Sequence, residues 1–516
     1  MSISKYSKNT QNQAVARWAT IISLATLASR ILGFLRDVVI ARLFGIYVYA
    51  QAFVIAFRIP NLFRDLVGEG ASNAAIVPVL SEYNLKHTKE EFWELTNLLL
   101  NLLVVLLSAI TILGIIFSPL IVRMIAPGFI AFPDKLQATI NLNRIIFPYI
   151  FLIGLAAYAM AILNSLKNFT ISAFAPCLLN IAIIICAMLF GENIKGLATG
   201  VLLGGILQLV VQIPILYKKG FRLKFALSFN HPGVVQVRRL MLPRLLSSSI
   251  YQLNNFVDSI FGSLVAIVGD GGVAVLYFAY RLIQFPIGIF SNAIAQAILP
   301  TLSTQALEEN HDALKATLSW GLRMVLFVML PITAIFMVVA EPLVFALFGG
   351  GRFDLASGLL TSNSLFFYSI GLSAYGGTKI LQSCFFALKD TVTPTKIAGL
   401  ALGMNIILNA ILMFPLKIGG LALATSISGI ITFFFLFFIL KRRLNGFDEH
   451  EIFKSFLRIF ISSFCMGVVC FLVNRALNIG WALFFSATSY IVFCFLFNVS
   501  EFKELMQKSL WKIIRN

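Results

Sequence analysis

Apolar runs of about twenty residues recur from one end of this chain to the other, and no other feature limits its fold so strongly. A helix of that length crosses a hydrocarbon core of about 30 Å. In lipid every backbone group must be satisfied within the protein, so only helices and closed barrels span. A barrel would show shorter, alternating segments, which this sequence lacks. The runs fall near 18–44, 46–81, 92–118, 140–166, 172–190, 196–217, 240–268, 272–306, 315–347, 362–388, 394–415, 418–440, 453–475 and 480–498. The expected fold is therefore an all-α polytopic membrane protein with about 14 transmembrane helices. Composition agrees: of 516 residues 59% are hydrophobic and 12% charged, more apolar surface than a soluble chain of this size can hide.

The net charge is +18, which in a soluble protein would suggest nucleic acid. Here Lys and Arg collect in alternate loops. With the N-terminus inside, the inner segments hold Lys5, Lys8, Arg17, Lys86, Lys89 and Lys167. They also hold the run from Lys218 to Arg239, the triplet Lys441-Arg442-Arg443, and Lys503, Lys508, Lys512 and Arg515. Outer segments carry single charges such as Arg123, Lys195, Arg352, Lys417 and Arg475. That asymmetry predicts cytoplasmic termini and makes topology, not nucleic acid, the reason for the charge. The first 17 residues are polar, and the first apolar run carries Arg30 and Arg36, so no signal peptide is expected. All six Cys lie in apolar runs with no CxxC, which predicts small buried hydrophobes. All four His lie in polar loops, leaving none for an intramembrane metal site or proton relay.

The chain also repeats itself. Ile76-Val77-Pro78-Val79-Leu80-Ser81 matches Ile298-Leu299-Pro300-Thr301-Leu302-Ser303, and Leu166-Lys167-Asn168 matches Leu388-Lys389-Asp390. Gly196-Leu197-Ala198 matches Gly420-Leu421-Ala422, and Gly205-Ile206 matches Gly429-Ile430. The nearly constant offset marks a duplication. Six spans per copy give both copies one orientation, hence two pseudo-symmetric six-helix lobes about an axis along the membrane normal, with a substrate path between them. The predicted layout is a first lobe over 1–217, a basic cytoplasmic linker over 218–239, a second lobe over 240–440, and two extra transmembrane helices with a cytoplasmic tail over 441–516.

Charge inside spans costs about 2.5–3.5 kcal/mol per residue on insertion scales. In this chain it is concentrated. The first span carries Arg30, Arg36 and Asp37, and the second Arg58, Arg64, Asp65 and Glu69. The seventh and eighth carry Asp258 and Arg281. At about 100° per residue, Arg30 and Asp37 share a helix face, as do Arg58, Asp65 and Glu69. Pro60, Gly68, Gly70 and Pro78 interrupt the second span, as suits helices that line a cavity or bend. One account is ion pairing within the bundle, Arg36 with Asp37 and Arg64 with Asp65. The other is a ligand. Arg exceeds acid here, and guanidinium holds phosphate in a bidentate grip without losing its charge, so the ligand class is a phosphate or pyrophosphate. Gln252, Asn254 and Asn255 precede Asp258, and Asn254 and Asp258 are secondary candidates, either as interhelical glue or as cation ligands. Neither a Walker A sequence nor HExxH occurs, and no cofactor is expected. An ion gradient, the membrane potential or downhill flow would supply the energy.

These residues resemble the MurJ (MviN) family of lipid II flippases, within the multidrug/oligosaccharidyl-lipid/polysaccharide exporter superfamily. The resemblance rests on Ser29-Arg30-Ile31-Leu32-Gly33-Phe34-Leu35-Arg36-Asp37, on Arg58-Ile59-Pro60-Asn61-Leu62-Phe63-Arg64 and on Gly68-Glu69-Gly70-Ala71. It continues through Ala173-Phe174-Ala175-Pro176 with Leu179-Asn180, Gln252 with Asn254 and Asp258, and Tyr280-Arg281-Leu282 with Phe285-Pro286. Asp390-Thr391-Val392-Thr393-Pro394 and Gly420-Leu421-Ala422-Leu423-Ala424-Thr425 complete the set, which runs over roughly 18–440.

The resemblance implies transfer of the undecaprenyl-pyrophosphate-linked peptidoglycan precursor, lipid II, from the cytoplasmic to the periplasmic leaflet of a bacterial inner membrane, by alternating access. It places Arg30, Arg36, Asp37, Arg64 and Arg281 at the cavity positions of such proteins, Arg58 where Lys or Arg is common, and Glu69 in a Glu-Gly-Ala turn. It implies that the two extra helices form a groove for the polyprenyl tail. Asp65 stands where a second basic residue is common, and Gln51 where an Asp is common, so a phosphate grip by 64–65 and a gating salt bridge at 51 do not carry over. The expected partners are lipid II and membrane lipids, with the chain a monomer that can associate with cell-wall synthesis proteins. A transporter of this kind is not an enzyme. The alternatives are a flippase for another isoprenoid-linked oligosaccharide, a cation-coupled multidrug exporter, for which an acidic cavity would be expected, and a membrane scaffold without transport.

Overall fold

The computed structural model describes residues 2–64 and 75–515, with the side chains of 2–17, 19, 242–251 and 508–515 left outside that description. Asp65 and Glu69, with Gly68 and Gly70, lie outside the described residues. Every named element among the described residues is helical. Contacts divide the chain into two units, residues 1–264 and 265–516.

The first unit runs α1 (Ser2–Phe44), α2 (Val48–Phe63), α3 (Val77–Lys86), α4 (Lys89–Ile116), α5 (Ser118–Ile125), α6 (Pro133–Ile146), α7 (Tyr149–Ser165), α8 (Thr170–Phe190), α9 (Ile194–Val210), α10 (Ile213–Lys218) and α11 (Pro232–Gly262). Helix starts follow local chemistry. Thr88 opens α4 with a capping box: its hydroxyl accepts from Glu91 N–H at 3.3 Å, and its own N–H donates to the Glu91 carboxylate at 3.1 Å. That backbone bond, with His87 nearby, holds the Glu91 carboxyl below its ordinary range. The helix carrying Arg58 and Arg64 is fixed by buried polar bonds. The Asn143 amide of α6 donates to Ala56 O at 3.4 Å and accepts from the Ser118 hydroxyl at 2.9 Å. Helix α11 starts at Pro232, so only 219–231 of the expected linker is non-helical. Ser263, just past α11, accepts from Gly128 N–H at 3.1 Å, which groups α11 by contact with the first unit.

The second unit runs α12 (Val265–Val268), α13 (Gly272–Pro286), α14 (Asn292–Leu307), α15 (His311–Val338), α16 (Ala340–Phe348), α17 (Leu355–Ser369), α18 (Leu372–Ala387), α19 (Val392–Leu444), α20 (Glu449–Ala476), α21 (Ile479–Leu496) and α22 (Ser500–Arg515). A π-helical turn, Ile287–Ser291, joins α13 to α14. Helices α20 and α21, the two beyond the repeat, dock on α15. The Tyr490 hydroxyl donates to Phe327 O at 2.7 Å, and Arg323 pairs with buried Glu501 at 3.1 Å.

Among the described residues, nine segments are long and apolar enough to cross a membrane. The longest, α19, is two helices joined at Lys417, whose φ of 52° and ψ of −128° break the helix. The halves run back along each other, with Asn405 donating to Thr425 at 3.2 Å and the Ser428 hydroxyl to Ala401 O at 2.7 Å. The break matches the sequence boundary between 415 and 418.

The duplication is written into the backbone. Lys167 and Lys389 both take a left-handed φ, 58° and 59°. Each sits in the same turn: Asn168 N–H donates to Leu163 O at 2.8 Å, and Asp390 N–H to Phe385 O at 2.9 Å. Gly191, between α8 and α9, has φ 56° and ψ −126°, the conformation of Lys417 in the second copy. Gly205 and Gly429 each lie against a tyrosine ring, Tyr149 and Tyr375, where a methyl group would collide. The cysteines behave as small core residues: all are free, and all but half-buried Cys465 are buried.

Candidate functional site

The candidates of the first span sit on α1 where it packs along α8. Ala25, Ser29, Gly33 and Arg36 face that neighbour, as their contacts show. Cys177 approaches Ala25 O, the Asn180 amide donates to Ser29 O at 3.2 Å, and Gly33 lies beside Asn180. Arg36 is 2% exposed and Asp37 fully buried. The Arg36 guanidinium donates to one Asp37 oxygen from Nε at 3.0 Å and from Nη2 at 2.7 Å, and Nη1 donates to the Asn180 side-chain oxygen at 3.1 Å. A buried guanidinium is thus matched by a carboxylate and an amide, which is what lets a charge stay inside an apolar bundle. Arg30 shares Asp37's face but is exposed and stands apart from this buried cluster.

On α2, Arg58 and Arg64 are half-buried, and Arg64 ends the helix with its N–H directed at Asn61 O and Pro60 O. Gln51, also on α2, is fully buried; its neutral amide cannot make a salt bridge. On α11, Asn255 donates to Gln252 at 3.0 Å, while Asn254 and Asp258 are half-buried. In the second unit, Arg281 of α13 donates to the Tyr277 hydroxyl at 3.0 Å, with its guanidinium 5.1 Å from the centre of the Tyr277 ring. Tyr277 is one turn before Arg281, so the pair is local.

The structure therefore joins Arg36, Asp37 and Asn180, and joins Arg281 with Tyr277. Asn180 and Tyr277 are not among the candidates that charge and spacing point to, although Leu179-Asn180 is among the stretches that carry the resemblance and Tyr277 stands at the i−4 position from Arg281. No group of three or more His, Cys, Asp or Glu able to hold a metal occurs among the described residues. A cavity of about 550 Å³ lies where α19 ends and α20 begins, lined by Phe438, Lys441, Arg442, Asn445, Gly446 and Glu449. None of the in-span candidates lines it.

Comparison with known proteins adds the family. The model of the family described as Lipid II flippase MurJ matches residues 40–492. A probable lipid II flippase MurJ of Buchnera aphidicola subsp. Acyrthosiphon pisum is 35% identical over 93% of this chain and 96% of its own length. The Lipid II flippase MurJ of Burkholderia cenocepacia is 33% identical over 82% of this chain and 83% of its own. Among solved structures, a Lipid II flippase MurJ in an inward closed conformation superposes with a TM-score of 0.81 at 28% identity, covering 94% of this chain and all of that one. An inward-facing multidrug resistance MATE transporter superposes at 0.68 with 17% identity over 81% of this chain and 94% of its own, a likeness of fold alone. With a family match across most of its length and relatives above 30% identity over nearly all of it, this chain belongs to the MurJ family of lipid II flippases.

Proposed function

We propose that this protein carries lipid II from the cytoplasmic to the periplasmic leaflet of a bacterial inner membrane. The observation that carries the reading is the excess of arginine on apolar helices of a MurJ-family chain: Arg30, Arg36, Arg58, Arg64 and Arg281. A pyrophosphate headgroup needs that charge to leave water, and guanidinium supplies it in a paired geometry at any physiological pH. Arg30, being exposed, meets the headgroup directly. Arg36 is oriented by Asp37 and Asn180, so its charge is held in place before the substrate arrives, which reduces the ordering cost of binding. Tyr277 does the same for Arg281. Transport runs by alternating access, with the polyprenyl tail left in lipid, and no covalent chemistry is required. An ion gradient, the membrane potential or downhill substrate flow drives the cycle, with no cofactor.

Complementation tests this. In a strain depleted of its own flippase, the wild-type gene restores growth, whereas Arg30→Ala and Arg281→Ala do not, although both proteins insert normally. Full growth of both variants would remove these arginines from the site. Vesicles loaded either with lipid II or with another isoprenoid-linked oligosaccharide then separate the favoured substrate from its nearest alternative: preferential movement of the other lipid would overturn the assignment.

A further inference from the structure

Between α10 and α11 the chain runs without regular structure, and this stretch is bound to α4 in an ordered way. Asn97 and Asn101 sit one turn apart on α4, both nearly fully buried in an otherwise apolar stretch. The Asn97 amide donates to Arg222 O at 3.0 Å, and its oxygen accepts from Lys224 N–H at 2.9 Å. The Asn101 amide donates to Lys224 O at 2.8 Å and Ala226 O at 2.9 Å. The two amides thus read the backbone of every second residue, which is the period of an extended strand. Both ends are pinned: Phe221 is buried in the core with Trp93 beside it, and Val234 and Val237 are buried in the same cluster.

What this strap turns outward is an alternation. Leu223, Phe225, Leu227 and Phe229 are 50%, 89%, 60% and 65% exposed. Arg222 and Lys224 alternate with them and are exposed, preceded by exposed Lys218 and Lys219. No Asp or Glu occurs anywhere between Glu192 and Asp258. On neighbouring elements Glu82 pairs with Lys86 at 2.9 Å and Glu91 sits in the Thr88 cap, while Glu90 and Glu94 of α4 are exposed, fewer acids than the strap has cations. Irregular backbone at the level of a membrane helix persists only where its polar groups are satisfied, and Asn97 and Asn101 meet that need. Apolar side chains that enter the acyl boundary, with cations at headgroup level, form an interfacial anchor.

We propose that residues 218–229 are a docking strap for anionic phospholipid headgroups in the leaflet that α4 enters, with Leu223, Phe225, Leu227 and Phe229 seated in the acyl boundary and Lys218, Lys219, Arg222 and Lys224 on the phosphates. This site is separate from the in-span arginines and does not depend on what they carry.

Native mass spectrometry of the full-length protein in detergent, doped with phosphatidylglycerol or phosphatidylcholine, tests it. Wild type retains phosphatidylglycerol in preference. The combined variant Lys218→Gln, Lys219→Gln, Arg222→Gln and Lys224→Gln weakens that preference by at least about tenfold, given the strength of polybasic attraction per residue. Lys441→Gln with Arg442→Gln, at a different basic cluster, leaves it intact. An unchanged preference in the fourfold variant overturns the proposal, as does equal competition by free glycerol phosphate, which would mark a soluble-phosphate site. An independent readout uses Phe225→Trp in phosphatidylglycerol nanodiscs. Its added fluorescence over wild type is quenched more by lipids brominated near the headgroup than near the chain end, and no quenching by either would place the strap in water and sink the idea.

Discussion

A single amide does the most to separate this site from a simple row of charges. Asn180 accepts from Arg36 and donates to Ser29 O, so one side chain both orients a buried guanidinium and ties α8 to α1. Asn180→Leu keeps the branching and the number of side-chain heavy atoms and removes both bonds. It leaves part of a buried charge unmatched, at a cost of about 1.5–3 kcal/mol for a bond to a charged group, which thermal unfolding in detergent would register as a lower midpoint. Asn180→Asp keeps the size and adds a second carboxylate beside Arg36. The local balance then tips from neutral to negative, and a carboxylate cannot donate to Ser29 O, so transport and the unfolding midpoint should both fall. If Asn180→Asp supported growth as well as wild type, net charge at this cluster would not matter to transport. The sequence offered the Arg36–Asp37 pair as one of two accounts, and the bond is there at 2.7 Å. The third member, Asn180, lies in a stretch that carries the resemblance, but its contact could not be read there, because 144 residues separate it from Arg36 and only packing of α1 on α8 brings them within reach.

The two helical hairpins, α8 with α9 and the two halves of α19, turn through one backbone conformation that is occupied by Gly191 in the first copy and Lys417 in the second. With a positive φ, a side chain crowds its own backbone, and glycine does not. Holding lysine there costs on the order of 1–3 kcal/mol. Lys417→Gly should therefore raise the thermal midpoint of the detergent-solubilised protein, even though it removes a side chain and adds chain freedom. A lowered midpoint would show that the lysine side chain contributes more than the strain costs. The spans around these turns were legible because a membrane helix must satisfy its own backbone, which confines the information to a local apolar run. The second span was legible only in part. Its proline and glycines predict a break, and residues 65–74, which carry Asp65 and Glu69, lie outside the described residues.

Over the whole molecule, charge asymmetry predicts which loops face the cytoplasm. Single cysteine replacements can read this, because five of the six native cysteines are buried and Cys465 is half-buried. Arg475 and Lys441 are both exposed and lie at opposite ends of neighbouring spans. Arg475→Cys should react with a membrane-impermeant maleimide added to intact cells with a permeabilised outer membrane. Lys441→Cys should react only after the inner membrane is opened. The reverse pattern would invert the topology derived from lysine and arginine, and with it the expected direction of transport.

The sequence alone determined the helical class, the duplication and the arginines set among apolar residues. Each of these is a local property, fixed by what lipid demands of a single stretch of chain. The tertiary structure decided what those residues touch. It set Arg36 between Asp37 and Asn180 and bound the basic strap to Asn97 and Asn101. Asn180, Asn97 and Asn101 lie more than a hundred residues from the groups they bind, and a hydrogen bond of about 3 Å exists only once the segments have packed at a particular register and angle.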